Sequence, residues 1–305
     1  MTALTLLIPG GTGQLGRELN RQAQQAGADV RAPGRAELDV TSAGQVVSAV
    51  RELAEHARRR GGRPVVINAA AYTAVDAAES AERKAFAVNA DGPPLLASAC
   101  ASAQVPLIHV STDYVFSGES DRPYEPDDPL GPRSAYGRTK AAGEVAVLAS
   151  GADAWVVRTA WVYGVGGSNF VHTIARLERE KETLRVVDDQ HGSPTSAEAL
   201  AGGLLQLAER IADGQGPEQR TLHCTCQGST TWFGFARAIF EELDADPERV
   251  QPCSTQDFPR PAPRPARAVL SPRSWLAAEL DPMPAWREAL AAYVRKHRDE
   301  LRAAE

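Results

Sequence analysis

Leu4-Thr5-Leu6-Leu7-Ile8-Pro9-Gly10-Gly11-Thr12-Gly13-Gln14-Leu15-Gly16 reads as a strand, a glycine turn and the opening of a helix. Leu4 to Ile8 is an apolar run of strand length, and helical spacing begins with Leu15, Leu19 and Ala23. Glycines at 10, 13 and 16 let a backbone approach a pyrophosphate and aim helix N-terminal N–H groups at it. In a chain with 25 glycines this spacing alone is weak. The strands and helices downstream of it decide its meaning.

The next strand, Asp29 to Ala32, runs into Pro33-Gly34-Arg35 and offers no carboxylate for a ribose 2′-hydroxyl. Arg35 can hold a 2′-phosphate instead, which favours NADPH over NADH while leaving NADH open. Asp39 follows a short apolar step, where it can accept from an adenine amino group or serve as a turn or cap residue. Ser42-Ala43-Gly44-Gln45 has the form of a capping box and predicts a helix to about Arg58. Pro64 to Ala71 reads as a buried strand whose small end, Ala69-Ala70-Ala71, suits close approach of a cofactor. Asn89 and Asp91 precede a predicted helix to about Ala103. Val105 to Asp113 is the next buried strand, with Ser111, Thr112, Asp113 and Tyr114 at its carboxyl end. In an open parallel sheet that end binds ligands. The alternation over about 160 residues predicts an α/β chain with a doubly wound parallel sheet and right-handed crossovers.

After the proline-rich, acidic loop 123–132 comes Ser134-Ala135-Tyr136-Gly137-Arg138-Thr139-Lys140. On a helix, a spacing of four puts Tyr136 and Lys140 on one face, one turn apart. A phenol is a poor proton donor near neutrality, and an adjacent ammonium is expected to bring it closer to working range. The chain holds only four lysines against 29 arginines, so a lysine placed there is unlike background composition. Ala154 to Thr159 is a further strand leading to Trp161. Beyond it, predicted helices near 169–182, 195–213, 231–243 and 284–302 alternate with short strands and proline-rich loops, reading as a smaller cap that supplies a substrate pocket. The division expected is 1–165 for the nucleotide and 166–305 mainly for the substrate, with some segments returning to the first part.

With 305 residues, 43% hydrophobic and 24% charged, the composition is that of a globular chain. A net charge of −6 argues against a nucleic-acid surface, and Arg58-Arg59-Arg60 with Arg63 reads as a solvated helix end. The opening from Met1 lacks a positive region, and no apolar run approaches a membrane span, so a cytoplasmic protein with no membrane partner is expected. Cys100, Cys224, Cys226 and Cys253 form no disulfide or zinc pattern and read as structural, with Cys224 and Cys226 on opposite faces of a strand.

Taken together, GGTGQLGRE (10–18), INAAAYTAVDAAES (67–80), VNA (88–90), STDYVFSG (111–118), YGRTKAAGE (136–144), VRTAWVYG (157–164), NFV (169–171) and DDQHGSPT (188–195) resemble the extended short-chain dehydrogenase/reductases, and within them the dTDP-4-dehydrorhamnose reductases. The resemblance implies a Rossmann domain with a smaller C-terminal α/β substrate-binding cap, a dTDP-sugar substrate and a monomer or homodimer. It implies Thr112, Tyr136 and Lys140 as the catalytic triad, and Asp113, Tyr114 and Trp161 as sugar or nucleotide contacts. Cofactor contacts fall on Gly10, Gly13, Gln14, Leu15, Arg35, Asp39 and Ala69 to Ala71, with Tyr136 and Lys140. The implied reaction is NADPH-dependent reduction of the 4-keto group of dTDP-6-deoxy-L-lyxo-4-hexulose. Other readings stay open: a 4-ketoreductase for another nucleotide-activated deoxysugar, or a non-catalytic NADP-binding subunit like the methionine adenosyltransferase β subunit. Two departures stand out. Arg264-Pro265 is followed by Ala266 rather than a small polar residue. Glu18 and Glu198 match two acidic positions through which some members hold magnesium, but Lys296 falls near the third.

Overall fold

The computed structural model describes residues 4–303; Met1 to Ala3 of the opening stretch and residues 304–305 lie outside them. β1 (Leu4–Leu7) is buried throughout and turns through Gly10 into α1 (Gln14–Gln25), which presents Gly16, Leu19 and Ala23 to the sheet. β2 (Asp29–Arg31) and α2 (Ala43–Arg60) follow, and Gly61, with φ +66°, ends the helix just after its three arginines. Ser42 does stand at the N-cap, but its hydroxyl makes no cap bond. Gln45 Oε1 instead accepts the N–H of Asp39 at 2.9 Å, so the expected capping box does not form.

After β3 (Arg63–Asn68) come α3 (Val75–Ser80), α4 (Glu82–Phe86) and α5 (Gly92–Ala103). Asn89 and Asp91, expected ahead of a helix, lie inside one: a π-turn over Ala87–Asp91 joins α4 to α5. The chain continues with β4 (Leu107–Thr112), α6 (Ala135–Leu148) and β5 (Ala154–Thr159). The order across the large sheet is β10-β5-β4-β3-β1-β2, where β10 (Thr221–His223) arrives from much later in the chain. Every neighbouring pair is parallel. The near-continuous apolar runs of β1 and β3 to β5 suit this, because helices cover both faces. On one face α1 packs against α8 (Ala197–Ala212) over Leu6, Ile8, Val65 and Leu204. On the other, α2, α5 and α6 cover Leu7, Val66, Leu96 and Val156. The order reverses between β1 and β3, which opens a crevice at their carboxyl ends.

The remaining elements surround that crevice: β6 (Val162–Tyr163), α7 (Phe170–Glu180), β7 (Leu184–Val187), β8 (His191–Gly192), β9 (Thr195–Ser196), β11 (Thr230–Thr231), α9 (Trp232–Glu242), β12 (Val250–Cys253), α10 (Arg273–Ala277) and α11 (Trp286–Ala303). They form three two-stranded sheets, β6 with β9, β7 with β12 and β8 with β11. A separate apolar core of Tyr163, Ile174, Phe235, Phe240 and Leu290 holds most of them, while α10 packs on β10 and sends Trp275 into the core shared by the large sheet and α8. β10 ends at His223, so Cys224 and Cys226 sit beyond the strand, both buried rather than displayed on its two faces. All four cysteines are free. Among the described residues no helix is long and apolar enough to cross a membrane.

Candidate active site

The glycine turn is shaped by two close approaches. A Cβ on Gly16 would meet Gly10 O at 2.2 Å, and Gly10 itself, at φ +82°, lies against the Ala69–Ala70 backbone. Gly13 is different, since a Cβ there would meet nothing of the protein nearer than Gly10 O at 3.4 Å. It faces a cavity of about 230 Å³ that also exposes Arg35, Asp39, Ala70 and Ala71. No side chain caps the first N–H groups of α1. An open helix N-terminus beside bare backbone fits a pyrophosphate. Gln14 and Leu15 line a second cavity, of about 440 Å³, which shares Gly13, Ala69 and Ala71 with the first. Gln14 also bridges outward, donating from Nε2 to Ser168 O at 3.1 Å.

Arg35 sits at the rim of the first cavity with its side chain 68% exposed, 3.7 Å from an Asp39 oxygen. Asp39 Oδ1 accepts from the Thr41 N–H at 3.0 Å and from the Thr41 hydroxyl at 2.7 Å, and these bonds, ahead of the Arg35 charge, hold its carboxyl below the usual range. Asp39 is thus a turn residue that also faces the cavity.

The second cavity brings together Thr112, Asp113, Tyr114, Tyr136, Lys140 and Trp161. Thr112 ends β4, and its hydroxyl donates to Asp113 Oδ1 at 2.8 Å. Asp113 is buried, its Oδ2 has no partner among the described residues, and burial lifts its carboxyl to about 7. α6 begins at Ser134, whose hydroxyl accepts the Gly137 N–H at 3.1 Å. Gly137 is required there because a Cβ would meet Tyr114 O at 2.2 Å. That contact seats α6 on the turn after β4 and sets Tyr136 edge-on to Tyr114, ring centres 5.5 Å apart. Lys140, 1% exposed, lies one turn further and donates from Nζ to Val110 O at 2.7 Å.

The expected lowering of the Tyr136 phenol by Lys140 is not what this arrangement gives. Burial pushes the phenol up, a hydrogen bond with Thr112 pulls back, and the Asp113 charge adds to the rise. The Lys140 ammonium is itself destabilised by burial, down to about 8, with Glu144 partly opposing. Two desolvated groups of opposite response explain the difference.

Trp161 has φ +48°, a left-handed conformation that is rare outside glycine, and it stacks on Trp232 at 3.5 Å with planes 6° apart. Gly192, inside DDQHGSPT, makes the room: a Cβ there would meet the Trp161 ring at 2.3 Å. Asp188 and Asp189 of the same stretch accept from Thr231 and Thr255, so these acids tie the cap together. Ala266, which departs from the small polar residue of the family pattern, contributes backbone: its carbonyl accepts the His191 N–H at 2.8 Å. Arg264 grips Asp76 of α3 with two bonds of 2.7 and 3.0 Å.

Glu18 and Glu198 do come near each other, both reaching Arg21. Glu198 gives both oxygens to Lys296 Nζ at 3.0 Å. Two carboxylates already neutralised by cations do not fit a magnesium site, and among the described residues no group of three or more His, Cys, Asp or Glu side chains could hold a metal.

The residue pattern missed Asn68, Asn89, His109 and Trp232. His109 was findable as a lone polar ring inside an apolar central strand. Asn89, which clamps the Tyr72 backbone at 2.8 and 3.0 Å and Thr139 Oγ1 at 3.1 Å, and Trp232, whose partner is Trp161, have signals only in three dimensions.

Residues 4–298 match the family model for the RmlD substrate binding domain. A dTDP-4-dehydrorhamnose reductase of Mycobacterium tuberculosis is 49% identical over 291 residues, covering 94% of this chain and 91% of its own. A dTDP-4-keto-6-deoxy-D-glucose reductase of Streptomyces niveus is 39% identical over 285 residues, covering 93% and 94%. The crystal structure of a Bacillus anthracis dTDP-4-dehydrorhamnose reductase in complex with NADP is 32% identical, covers 97% of this chain and all of that one, and superposes with a TM-score of 0.88. The crevice at the β1/β3 reversal, the Thr112–Tyr136–Lys140 cluster beside it and these likenesses agree: the chain belongs to the dTDP-4-dehydrorhamnose reductase family of extended short-chain dehydrogenase/reductases.

Proposed function

We propose that this chain is an NADPH-dependent dTDP-4-dehydrorhamnose reductase, converting dTDP-6-deoxy-L-lyxo-4-hexulose to dTDP-L-rhamnose. The observation that carries the reading is the meeting of two cavities at Gly13, Ala69 and Ala71, one running to Arg35 and the other to Tyr136. When bound, NADPH supplies the hydride for the ketone carbon. The protein does the rest. The open amides after Gly13, with Gln14 and Leu15, hold the pyrophosphate; Arg35 takes the 2′-phosphate, Asp39 faces the adenine, and Ala69 to Ala71 form the wall. Residues 1–165 carry the cofactor and 166–305 mainly the sugar, with α8 and β10 completing the nucleotide side.

Burial keeps the Tyr136 phenol protonated at neutral pH, which is the form a proton donor needs. Tyr136 Oη gives that proton to the developing alkoxide, and the Thr112 hydroxyl, turned from Asp113 Oδ1, donates to the same oxygen. Lys140 as an ammonium holds the nicotinamide ribose and favours the phenolate left behind. Trp161, with Trp232 behind it, lays a flat apolar wall along the sugar. Asp113 and Tyr114 border the same space.

The test is whether purified protein oxidises NADPH only when the dTDP-4-keto sugar is present, with dTDP-L-rhamnose as the product seen by NMR. The Streptomyces niveus relative favours a second reading, a 4-ketoreductase for a different deoxysugar. Faster turnover of an epimeric 4-keto sugar would establish it. Tight NADPH binding with no turnover of either sugar would leave only a nucleotide-binding subunit.

A further inference from the structure

His109, fully buried on β4, touches Lys140 and takes no part in the steps above. Its Nδ1 is 3.0 Å from Asn68 Nδ2, and its Nε2 is 3.3 Å from Lys140 Nζ. Asn68 Oδ1 accepts the Ala70 N–H at 3.1 Å, which fixes the amide with its NH2 group towards the ring. A donor facing Nδ1 requires a lone pair there. A neutral imidazole has a single N–H, so the proton resides on Nε2 and points at Lys140. An ammonium has no lone pair to receive it; an amine does. Turning the Asn68 amide over to allow the other tautomer would set its NH2 group against the Ala70 N–H.

We propose that His109, locked by Asn68, is a positioning residue that opposes an ammonium at Lys140, so that nucleotide binding is linked to uptake of one proton by this lysine. The proposal rests on the assignment of Lys140 to the cofactor ribose. Other groups surround the same ammonium: Val110 O accepts from it at 2.7 Å, Glu144 of its own helix favours it while sharing its charge with Arg158 of β5, and Tyr136 and Asp113 line the same cavity. Burial acts in the same direction, holding His109 neutral and Lys140 down at about 8. The Ala70 N–H that fixes Asn68 belongs to the wall of the cofactor cavity, so the two sites share one hydrogen-bonded chain.

The sign follows from linkage. A lysine depressed in the free protein and restored in the complex takes up a proton above about pH 8, so NADPH affinity falls there by about tenfold per pH unit until the complex itself titrates. Two measurements test this, neither using the sugar. Long-range 1H–15N correlation on histidine-labelled free protein is expected to show His109 with Nε2 protonated and Nδ1 bare; an Nδ1–H ring or an imidazolium would overturn the proposal. NADPH titrations from pH 7 to 10 are then compared between the native protein and His109→Gln, whose carbonyl oxygen can accept from the ammonium. The fall in affinity is expected to move up by about one pH unit or more in the variant. A folded variant whose affinity falls at the same pH would mean that His109 only fills space. If the variant does not fold, the ring tautomer of the native protein decides alone. Failure of sugar turnover, by contrast, would count against the proposed substrate and leave both measurements unchanged.

Discussion

Arg35 has the most exposed charge at the cofactor crevice, and its one ionic neighbour among the described residues, Asp39, stands 3.7 Å away. An exposed pair at that distance contributes little to stability. A 2′-phosphate arriving at the rim would give the guanidinium a partner with two or three acceptor oxygens. Arg35→Ala is therefore expected to weaken NADPH about tenfold or more in a binding titration while leaving NADH nearly unchanged. Equal losses for both nucleotides would remove Arg35 from the phosphate site. This residue was legible because the sign of charge after a second strand has a direct chemical meaning. Asp39 was legible only as two alternatives, since its bonds to Thr41 and its view of the cavity are both compatible with one carboxylate. Asn68 and His109 were read only as parts of their strands, because the hydrogen-bonded link from Ala70 to Lys140 joins positions that are neighbours only after β3, β4 and α6 have assembled.

At the scale of elements, α6 is the device that makes the site. It carries Tyr136 and Lys140 towards the cavity and Glu144 towards β5, where Arg158 meets it with bonds of 2.7 to 3.1 Å and also donates to Pro126 O at 2.9 Å. Glu144 is 1% exposed and Arg158 4%. Removing one partner leaves the other charge buried and alone. Glu144→Gln is expected to destabilise the fold by about 3 kcal/mol, read as a lowered denaturation midpoint, and Glu144→Gln with Arg158→Met to recover part of the loss. Equal stability of the single variant and the native chain would show that the pair does not tie helix to sheet. The helix and the face shared by Tyr136 and Lys140 were plain from the spacing of four. Its glycines were not, because Gly137 and Gly143 are required by Tyr114 O and Asn89 O, carbonyls far away in the chain that only the folded structure brings close. The π-turn that carries Asn89 has no sequence signature of its own, so the sequence places Asn89 and Asp91 ahead of a helix where the chain is already helical.

Across the whole molecule, the doubly wound sheet was legible because β1 and β3 to β5 are apolar along most of their length and alternate with helical stretches. The cap was legible only in outline. β6, β8, β9 and β11 are two residues each, too short for any periodicity, and their places are set by long-range contacts such as Trp161 on Gly192 and Arg267 N–H to Gly118 O at 2.9 Å. Lys296 stands near the third acidic position that the resemblance implies, and its ammonium meets both Glu198 oxygens at 3.0 Å. All of this architecture serves one arrangement, in which the end of β4 and the start of α6 put the protonated phenol of Tyr136 beside Thr112 and Lys140 at the inner end of the crevice. Tyr136→Phe tests that arrangement most directly, because it removes one oxygen and nothing that holds the fold. NADPH affinity and thermal midpoint are predicted to stay near native, while single-turnover oxidation of bound NADPH by the dTDP-4-keto sugar slows by about a hundredfold or more. A variant that transfers hydride at a near-native rate with an unchanged pH profile would contradict the account and move the proton to Asp113, Tyr114 or solvent.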